Sequence, residues 1–144
     1  MLRFLILSGL ALSGTASAQL RVPPGQQPAP ILQGIDALRA DFLAKSGANT
    51  IYFGTGSAQL GAPAKATLSA QAQWLLSHPE VLVRIEGHSE ANDTRDHALA
   101  MGARRAEEVR DYLVLMGVPA AQLSTVSWGK ERPGPGRAIT ILVH

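Results

Sequence analysis

The stretch that decides the fold runs from Gly87 to Ala106 and reads G-H-S-E-A-N-D-T-R-D-H-A-L-A-M-G-A-R-R-A. It follows an alternating apolar run at Val81, Val83 and Ile85, which is typical of a strand, and it opens a long helical pattern. We therefore predict a strand, a polar loop and the first turns of a helix. Loops in this position often carry function, because the exposed backbone N–H groups of the following helix favour anions.

The helix that follows is predicted from Arg95 to Met116, with Asn92-Asp93-Thr94 as its cap and Gly117 as its stop. Apolar and small residues recur along it at steps of three and four, which places them on one face. They are Leu99, Gly102, Ala106, Val109, Leu113 and Met116. Because Gly102 and Ala106 keep this face thin, we expect the helix to lie close to a sheet.

Periodicity also predicts the elements on either side of this unit. One helix is expected from Ile31 to Ser46, and another begins near Pro63 and ends before His78-Pro79. Short apolar runs predict strands at 51–53, 81–87, 123–128 and 138–143. Strands that alternate with helices predict helices packed on a sheet. The fold class is therefore α/β (α+β), a two-layer sandwich of order β-α-β-α-β-β with a mixed sheet.

The N-terminal part of the chain carries the marks of export. Arg3, the apolar run from Phe4 to Leu12 and Ala16-Ser17-Ala18 predict a signal peptide over residues 1–18. Residues 19–30 hold four prolines and predict an extended linker. We expect an N-terminal helix at 31–47 and the main domain at 48–144.

Composition excludes several classes of protein. The sequence has no cysteine, so disulfides, thiolate metal sites and a lipid-modified N-terminal cysteine are not expected. Removing Arg3 with the signal leaves 12 of the 13 Lys and Arg against 11 Asp and Glu, which is not the basic footprint of a nucleic-acid binder. No run of about 18 apolar residues predicts a membrane span.

The two arginines at the start of the helix are expected to differ in role. If Ala106 faces the sheet, Arg104 lies about 200° away around the helix and points to solvent, where it can pair weakly with Glu108. Arg105 lies about 100° away, at the edge of the buried face.

Arg105 can therefore swing toward the loop that carries Ser89, Glu90 and Asp93. Arginine binds a carboxylate bidentately, and Glu90 can bind an ammonium, so the two residues could clasp a zwitterion. The alternative is that Glu90 and Arg105 pair with each other and hold the loop. Spacing alone does not decide between a clasp and a brace.

Taken in order, the motifs resemble the OmpA-like peptidoglycan-binding domain, and within it the peptidoglycan-associated lipoprotein branch. The resemblance covers about residues 51–143. It is carried by I-Y-F at 51–53, R-I-E-G-H at 84–88, G-A-R-R-A at 102–106, V-R-D-Y-L at 109–113, G-V at 117–118 and S-W-G-K-E-R-P at 127–133.

The resemblance implies non-catalytic binding of the diaminopimelate in a peptidoglycan stem peptide, with Glu90 on its ammonium and Arg105 on its carboxylate. Ser89, Asp93 and His97, which lie on the same loop or at the start of the helix, complete the ligand-binding set that we predict. Glu90 stands where the family has aspartate, His97 where it has tyrosine, and Asp93 where it has glycine. Ala98 replaces a usual asparagine.

The connection from Pro133 to Arg137 is shorter than is usual in the family, so one wall of the usual cleft is expected to be missing. The lipoprotein branch begins its mature chain with an acylated cysteine, which is absent here, so no direct lipid anchor is expected. The resemblance implies a location in the periplasm, peripheral to the outer membrane or cell wall, with peptidoglycan and envelope proteins as partners.

The sequence favours no catalytic function. No nucleophile motif, metal cluster or cofactor motif stands in the sequence, so we expect no enzyme, no cofactor and no metal, and His88 is expected to be a structural hydrogen-bonding group. Trp74 lies off the apolar face of its helix and is expected to be partly exposed, while core packing is favoured over sugar stacking for the aromatic residues. The main alternative function is a protein-interaction module with a degenerate peptidoglycan pocket, which engages an envelope protein.

Overall fold

The computed structural model describes residues 30–143. The predicted signal peptide and the linker up to residue 29 lie outside the described residues. The helices are α1 (Pro30–Ser46), α2 (Ala62–Leu76) and α3 (Arg95–Leu115), with a short 3₁₀ turn at Ala120–Gln122, and the strands are β1 (Thr50–Tyr52), β2 (Val83–His88), β3 (Leu123–Gly129) and β4 (Arg137–Leu142).

The four strands form one mixed sheet in the order β1-β4-β2-β3. β4 pairs antiparallel with both β1 and β2, whereas β2 and β3 are parallel neighbours. A parallel pair needs a long crossover, and here α3 supplies it. The predicted two-layer architecture with a mixed sheet is therefore confirmed.

Two glycines bring the backbones of β2 and α3 into close contact between the two layers. A Cβ atom placed on Gly87 would lie 1.7 Å from the backbone oxygen of Gly102, so neither strand nor helix could keep its position with a side chain there. Ala106, one turn further along α3, is fully buried. The expectation that small residues bring this helix close to the sheet is confirmed.

The predicted buried face of α3 is wrong at both ends. Leu99 is 40% exposed and Met116 is 39% exposed. At the start of the helix Ala98 is buried in place of Leu99, so the buried face there is rotated by one residue from the predicted one. Met116 is the C-cap residue, at the point where the helix ends.

The prediction for Trp74 is also wrong, because α1 covers the outer side of α2. Only 4% of Trp74 is exposed. The ring of Phe42 lies edge-on to it at 5.1 Å, and the Trp74 Nε1–H donates to Asp41 Oδ2 at 2.7 Å. His78 stacks on its other side at 3.8 Å. A periodicity within α2 alone cannot show that a second helix packs on it.

α1 also covers part of one edge of the sheet. β1 pairs with only the first three residues of β4, so the rest of that β4 edge needs other partners. Arg39 donates from Nε and Nη2 to the carbonyl oxygen of Leu142 at 3.1 and 2.9 Å, and Asn49 O accepts from Thr140 N at 2.8 Å. The edge is therefore hydrogen-bonded without a longer β1.

Candidate functional site

Arg105 lies at the centre of the site and is completely buried. Its Nε donates to Ser57 O at 2.9 Å, Nη1 to His88 O at 2.9 Å, and Nη2 to Gly54 O at 3.2 Å. Its two remaining N–H groups donate to the Glu90 carboxylate, from Nη2 to Oε1 at 2.9 Å and from Nη1 to Oε2 at 3.2 Å. A guanidinium has five N–H donors, so every donor of Arg105 is used.

The guanidinium is also covered by neighbouring residues. Its Cζ lies 5.4 Å from the centre of the Phe53 ring, a cation–π distance. A Cβ on Gly136 would lie 2.3 Å from Nη1, so the connection between β3 and β4 lies directly on the arginine. The short connection was expected to leave one wall of the site missing, but in the structure it lies against Arg105.

Glu90 is the part of the ion pair that reaches solvent, with 20% of its side chain exposed. Hydrogen bonds from Arg105 hold the pKa of the Glu90 carboxyl below its ordinary value of 4.5, although partial burial acts in the opposite direction. Ser89 is buried and donates from Oγ to Glu90 Oε2 at 3.3 Å, while its backbone N–H donates to Gly129 O at 2.7 Å. The loop thus presents an ionised carboxylate on a fixed backbone.

Asp93 and His97 form a separate pair at the start of α3. Asp93 Oδ2 bonds to His97 Nδ1, which lowers the pKa of the Asp93 carboxyl, and Oδ1 accepts from Thr94 N at 2.8 Å. Thr94 is the N-cap and accepts from His97 N at 3.4 Å, as predicted for this cap. Within residues 34–143 neither Asp93 nor His97 bonds to Glu90 or Arg105.

Three contributors to the site were missed from the sequence. Gly54 and Ser57 act through backbone oxygens, and Gly136 acts through its lack of a side chain. The run Gly54-Thr55-Gly56 predicted only a turn. The signal that could have found them is the pair of glycine-rich connections that border the Arg105 helix, but carbonyl groups leave no mark in residue type.

A second polar cluster lies on the opposite face of the sheet, because residues along β2 alternate between its faces. Glu86 is 1% exposed and accepts from Arg84 Nη2 at 2.9 Å and Arg132 Nη1 at 3.2 Å. His88 is buried beside it, and burial and then the charge of Arg137 lower the pKa of its imidazole. Neither ring nitrogen of His88 has hydrogen-bond geometry to a described residue, although Nε2 lies 3.8 Å from Glu86 Oε2, so the predicted hydrogen-bonding role of the ring is wrong; the hydrogen bond that His88 makes in the site is through its main-chain oxygen.

Arg104 lies apart from Arg105, on a cleft of about 760 Å³ between the β1–α2 connection and α3. It is exposed, as expected, but makes no ion pair with Glu108 among the described residues. In residues 30–143, no group of three or more His, Asp or Glu side chains is placed to hold a metal ion. No helix in that part of the chain is long and apolar enough to cross a membrane.

Three helices packed on a four-stranded mixed sheet are the fold of the OmpA-like domain structures to which this chain is similar. The sequence model of the OmpA family matches residues 52–138, so the chain belongs to this family. The crystal structure of the peptidoglycan-associated lipoprotein from Burkholderia pseudomallei is similar, with 35% identity and a TM-score of 0.66 over 71% of this chain and 93% of that one.

Curated relatives are similar over the same region. The peptidoglycan-associated lipoprotein of Rhizobium meliloti is 48% identical over 93 residues, which are 65% of this chain and 52% of the relative. That of Pseudomonas aeruginosa is 40% identical over 99 residues, 69% of this chain and 58% of the relative. The chain therefore spans little more than half the length of these relatives.

Proposed function

We propose that this chain is a non-catalytic periplasmic module that binds the peptide stem of peptidoglycan at diaminopimelate and so supports the cell envelope. Membership of the OmpA family supports a role at the envelope. The similar proteins from Rhizobium meliloti and Burkholderia pseudomallei are named for their association with peptidoglycan. Neither observation specifies the group that is bound, and the choice of diaminopimelate rests on the geometry around Glu90.

The observation that carries the proposal is the ionised carboxylate of Glu90 at the mouth of the β2–α3 loop. Its lowered pKa keeps it negative at neutral pH, and its partial exposure leaves it accessible. Diaminopimelate ends in an ammonium and a carboxylate, and an ammonium forms charge-assisted hydrogen bonds with such a group. Arg105 and Ser89 hold the carboxylate in place, while Asp93 and His97 flank the loop.

One feature favours the alternative, a protein-interaction module with a degenerate pocket. Arg105 is buried and all of its donors are used, so a ligand carboxylate finds no free donor there. On that alternative the Glu90–Arg105 pair braces the loop, and an envelope protein binds elsewhere on the same scaffold. The two functions differ in whether free stem peptide competes for binding.

The test is co-sedimentation of the protein with purified sacculi, with and without soluble diaminopimelate stem peptide. We expect competable binding that Glu90→Gln weakens roughly tenfold or more, because a hydrogen bond to a charged group contributes about 1.5–3 kcal/mol. Glu107→Gln is the matched control, since it removes the same charge from an exposed position on α3. Binding that stem peptide does not displace, or that both variants weaken equally, would contradict the proposal.

A further inference from the structure

We propose that the open face of the sheet binds an extended acidic segment of a protein partner, whose carboxylates pair with arginines on that face. The open face is the side of the sheet turned away from α2 and α3. It is defined by Arg84, Glu86 and His88 of β2, Trp128 of β3, and Arg137 and Ile139 of β4. The inference goes beyond the proposed function and does not depend on it.

The open face is accessible because the helices pack on the other side of the sheet. Strand residues alternate between the two faces. In β4 the residues that face the helices are buried, whereas Arg137, Ile139 and Ile141 are only half-buried. Tyr52, next to Arg137 on the edge strand β1, is 64% exposed. Among residues 30–143, then, no helix covers the open face.

The open face also carries a surplus of positive charge. Arg84 and Arg137 lie on its strands, and Arg132 reaches it from the connection between β3 and β4. The strands place one carboxylate there, that of Glu86. Glu131, on the same connection, is already paired with an arginine of α3 at 3.4 Å. Three arginines against one carboxylate leave a surplus of two positive charges, which is complementary to an acidic partner.

The arginines retain donors for a partner. Arg84 and Arg132 share the Glu86 carboxylate at 2.9 and 3.2 Å, yet their side chains are 44% and 50% exposed. Arg137 makes no ion pair with a described residue, and its side chain donates from Nη1 to Pro135 O at 2.9 Å. A guanidinium has five N–H donors and binds carboxylates bidentately, so Arg137 has donors left for a partner carboxylate.

Polar atoms beside these arginines are buried without partners. His88 lies directly opposite Arg137 in the sheet and is completely buried, and neither of its ring nitrogens hydrogen-bonds to a described residue. The same is true of Nε1 of Trp128, whose ring lies 4.1 Å from the guanidinium of Arg132. Buried polar atoms without partners cost free energy and are rare in folded proteins. The row of Arg137, His88 and Trp128 is therefore suited to a partner that brings hydrogen-bond acceptors.

Residue types on the open face favour a protein segment over an anionic membrane. Protein interfaces are enriched in arginine, tyrosine and tryptophan, and Arg137, Tyr52 and Trp128 lie side by side here. Clusters that bind anionic lipid contain about 4–8 lysines and arginines. The three arginines fall short of that number, and Ile139 lies beside Glu86 where a membrane site would carry a further cation.

The experiment is fluorescence anisotropy of a labelled peptide of alternating glutamate and valine, which places all carboxylates on one side of an extended chain. In a matched peptide glutamine replaces glutamate. We expect the wild-type protein to bind the glutamate peptide at least about tenfold more tightly, since the glutamine peptide lacks charge-assisted hydrogen bonds. Failure of the glutamate peptide to bind, or equal binding of both peptides, would overturn the inference.

Three arginine variants locate the binding surface. Arg137→Gln and Arg84→Gln should each weaken binding of the glutamate peptide about fivefold or more. Arg104→Gln removes the same charge from an exposed position on α3 and should bind as the wild type does. Equal losses in all three variants would show attraction to overall charge and overturn the inference. So would retention of the wild type on phosphatidylglycerol vesicles that the glutamate peptide does not displace, which would indicate a membrane contact.

Glu86→Gln gives a readout that loss of stability does not produce. The substitution removes the carboxylate that Arg84 and Arg132 share, so both guanidinium groups become available to a partner. Binding of the glutamate peptide should therefore strengthen about threefold or more. Urea denaturation confirms that the variant is folded. Unchanged or weaker binding by the folded Glu86→Gln protein would overturn the inference.

Discussion

Glu90→Gln should destabilise the folded protein in a manner that depends on pH. The substitution preserves the shape of the side chain but leaves Arg105 charged and buried with three backbone carbonyl partners and one amide oxygen. Breaking a buried ion pair costs about 3–5 kcal/mol. Because Glu90 is partly exposed and glutamine can still accept one hydrogen bond, we expect a lower value of about 2 kcal/mol near neutral pH.

The sign of the pH dependence follows from the lowered pKa of Glu90. The folded state holds the carboxylate ionised more strongly than the unfolded chain, so the ion pair contributes its full stability above the ordinary value of 4.5. That contribution is lost as the pH falls through the folded-state pKa. In acid both proteins carry a neutral group at position 90, and the difference between them should vanish.

Urea denaturation of the wild type, Glu90→Gln and Glu107→Gln at neutral pH and at a pH well below 4.5, beneath the lowered folded-state pKa, measures this directly. Glu107→Gln, which is exposed, should follow the wild type at both values. A difference between wild type and Glu90→Gln that persists unchanged in acid would refute the reasoning, because the loss would then not come from the charge of Glu90.

Two further predictions concern the fold. Gly87→Ala should lower the free energy of unfolding by about 3 kcal/mol or more, because the new methyl group meets the backbone of Gly102. Gly34→Ala, on an exposed part of α1, should raise it by about 0.5–1 kcal/mol. Equal unfolding midpoints for the two variants would contradict this prediction. The lowered pKa of His88 means that the unfolded chain binds its proton more readily, so stability should fall as the pH drops below 6.5. In His88→Gln that decline should be shallower, and an unchanged slope in urea titrations across that range would refute it.

The order and type of the elements could be predicted because each carries a local signal. The period of α3, the Thr94 cap and the alternation in β2 are properties of neighbouring residues, and the structure has them. The burial of Trp74 and the exposure of Leu99 depend on what packs against a helix from a distant part of the chain. Periodicity within one element cannot contain that information.

The candidate site, too, could be predicted only in part from local sequence. The meeting of Glu90 with Arg105 could be expected, since the loop and the helix are contiguous in sequence. Which of the two possible arrangements forms is decided by Gly54, Ser57 and Gly136, which complete the coordination of the guanidinium and close its face. Their contributions are backbone oxygens and an absent side chain, so residue type alone could not have indicated them.

The contact of Arg39 with Leu142 occupies the part of the β4 edge that β1 does not pair with. An unpaired strand edge acts as a template on which another chain can add a strand. A protein shortened to begin at residue 48 would keep all four strands, yet it would lose the guanidinium that occupies the β4 carbonyl and the Phe42 ring that covers Trp74. We expect such a fragment to self-associate through β4, and its light scattering should increase with protein concentration. In the longer chain α1 would then prevent association at the β4 edge in addition to packing on the core.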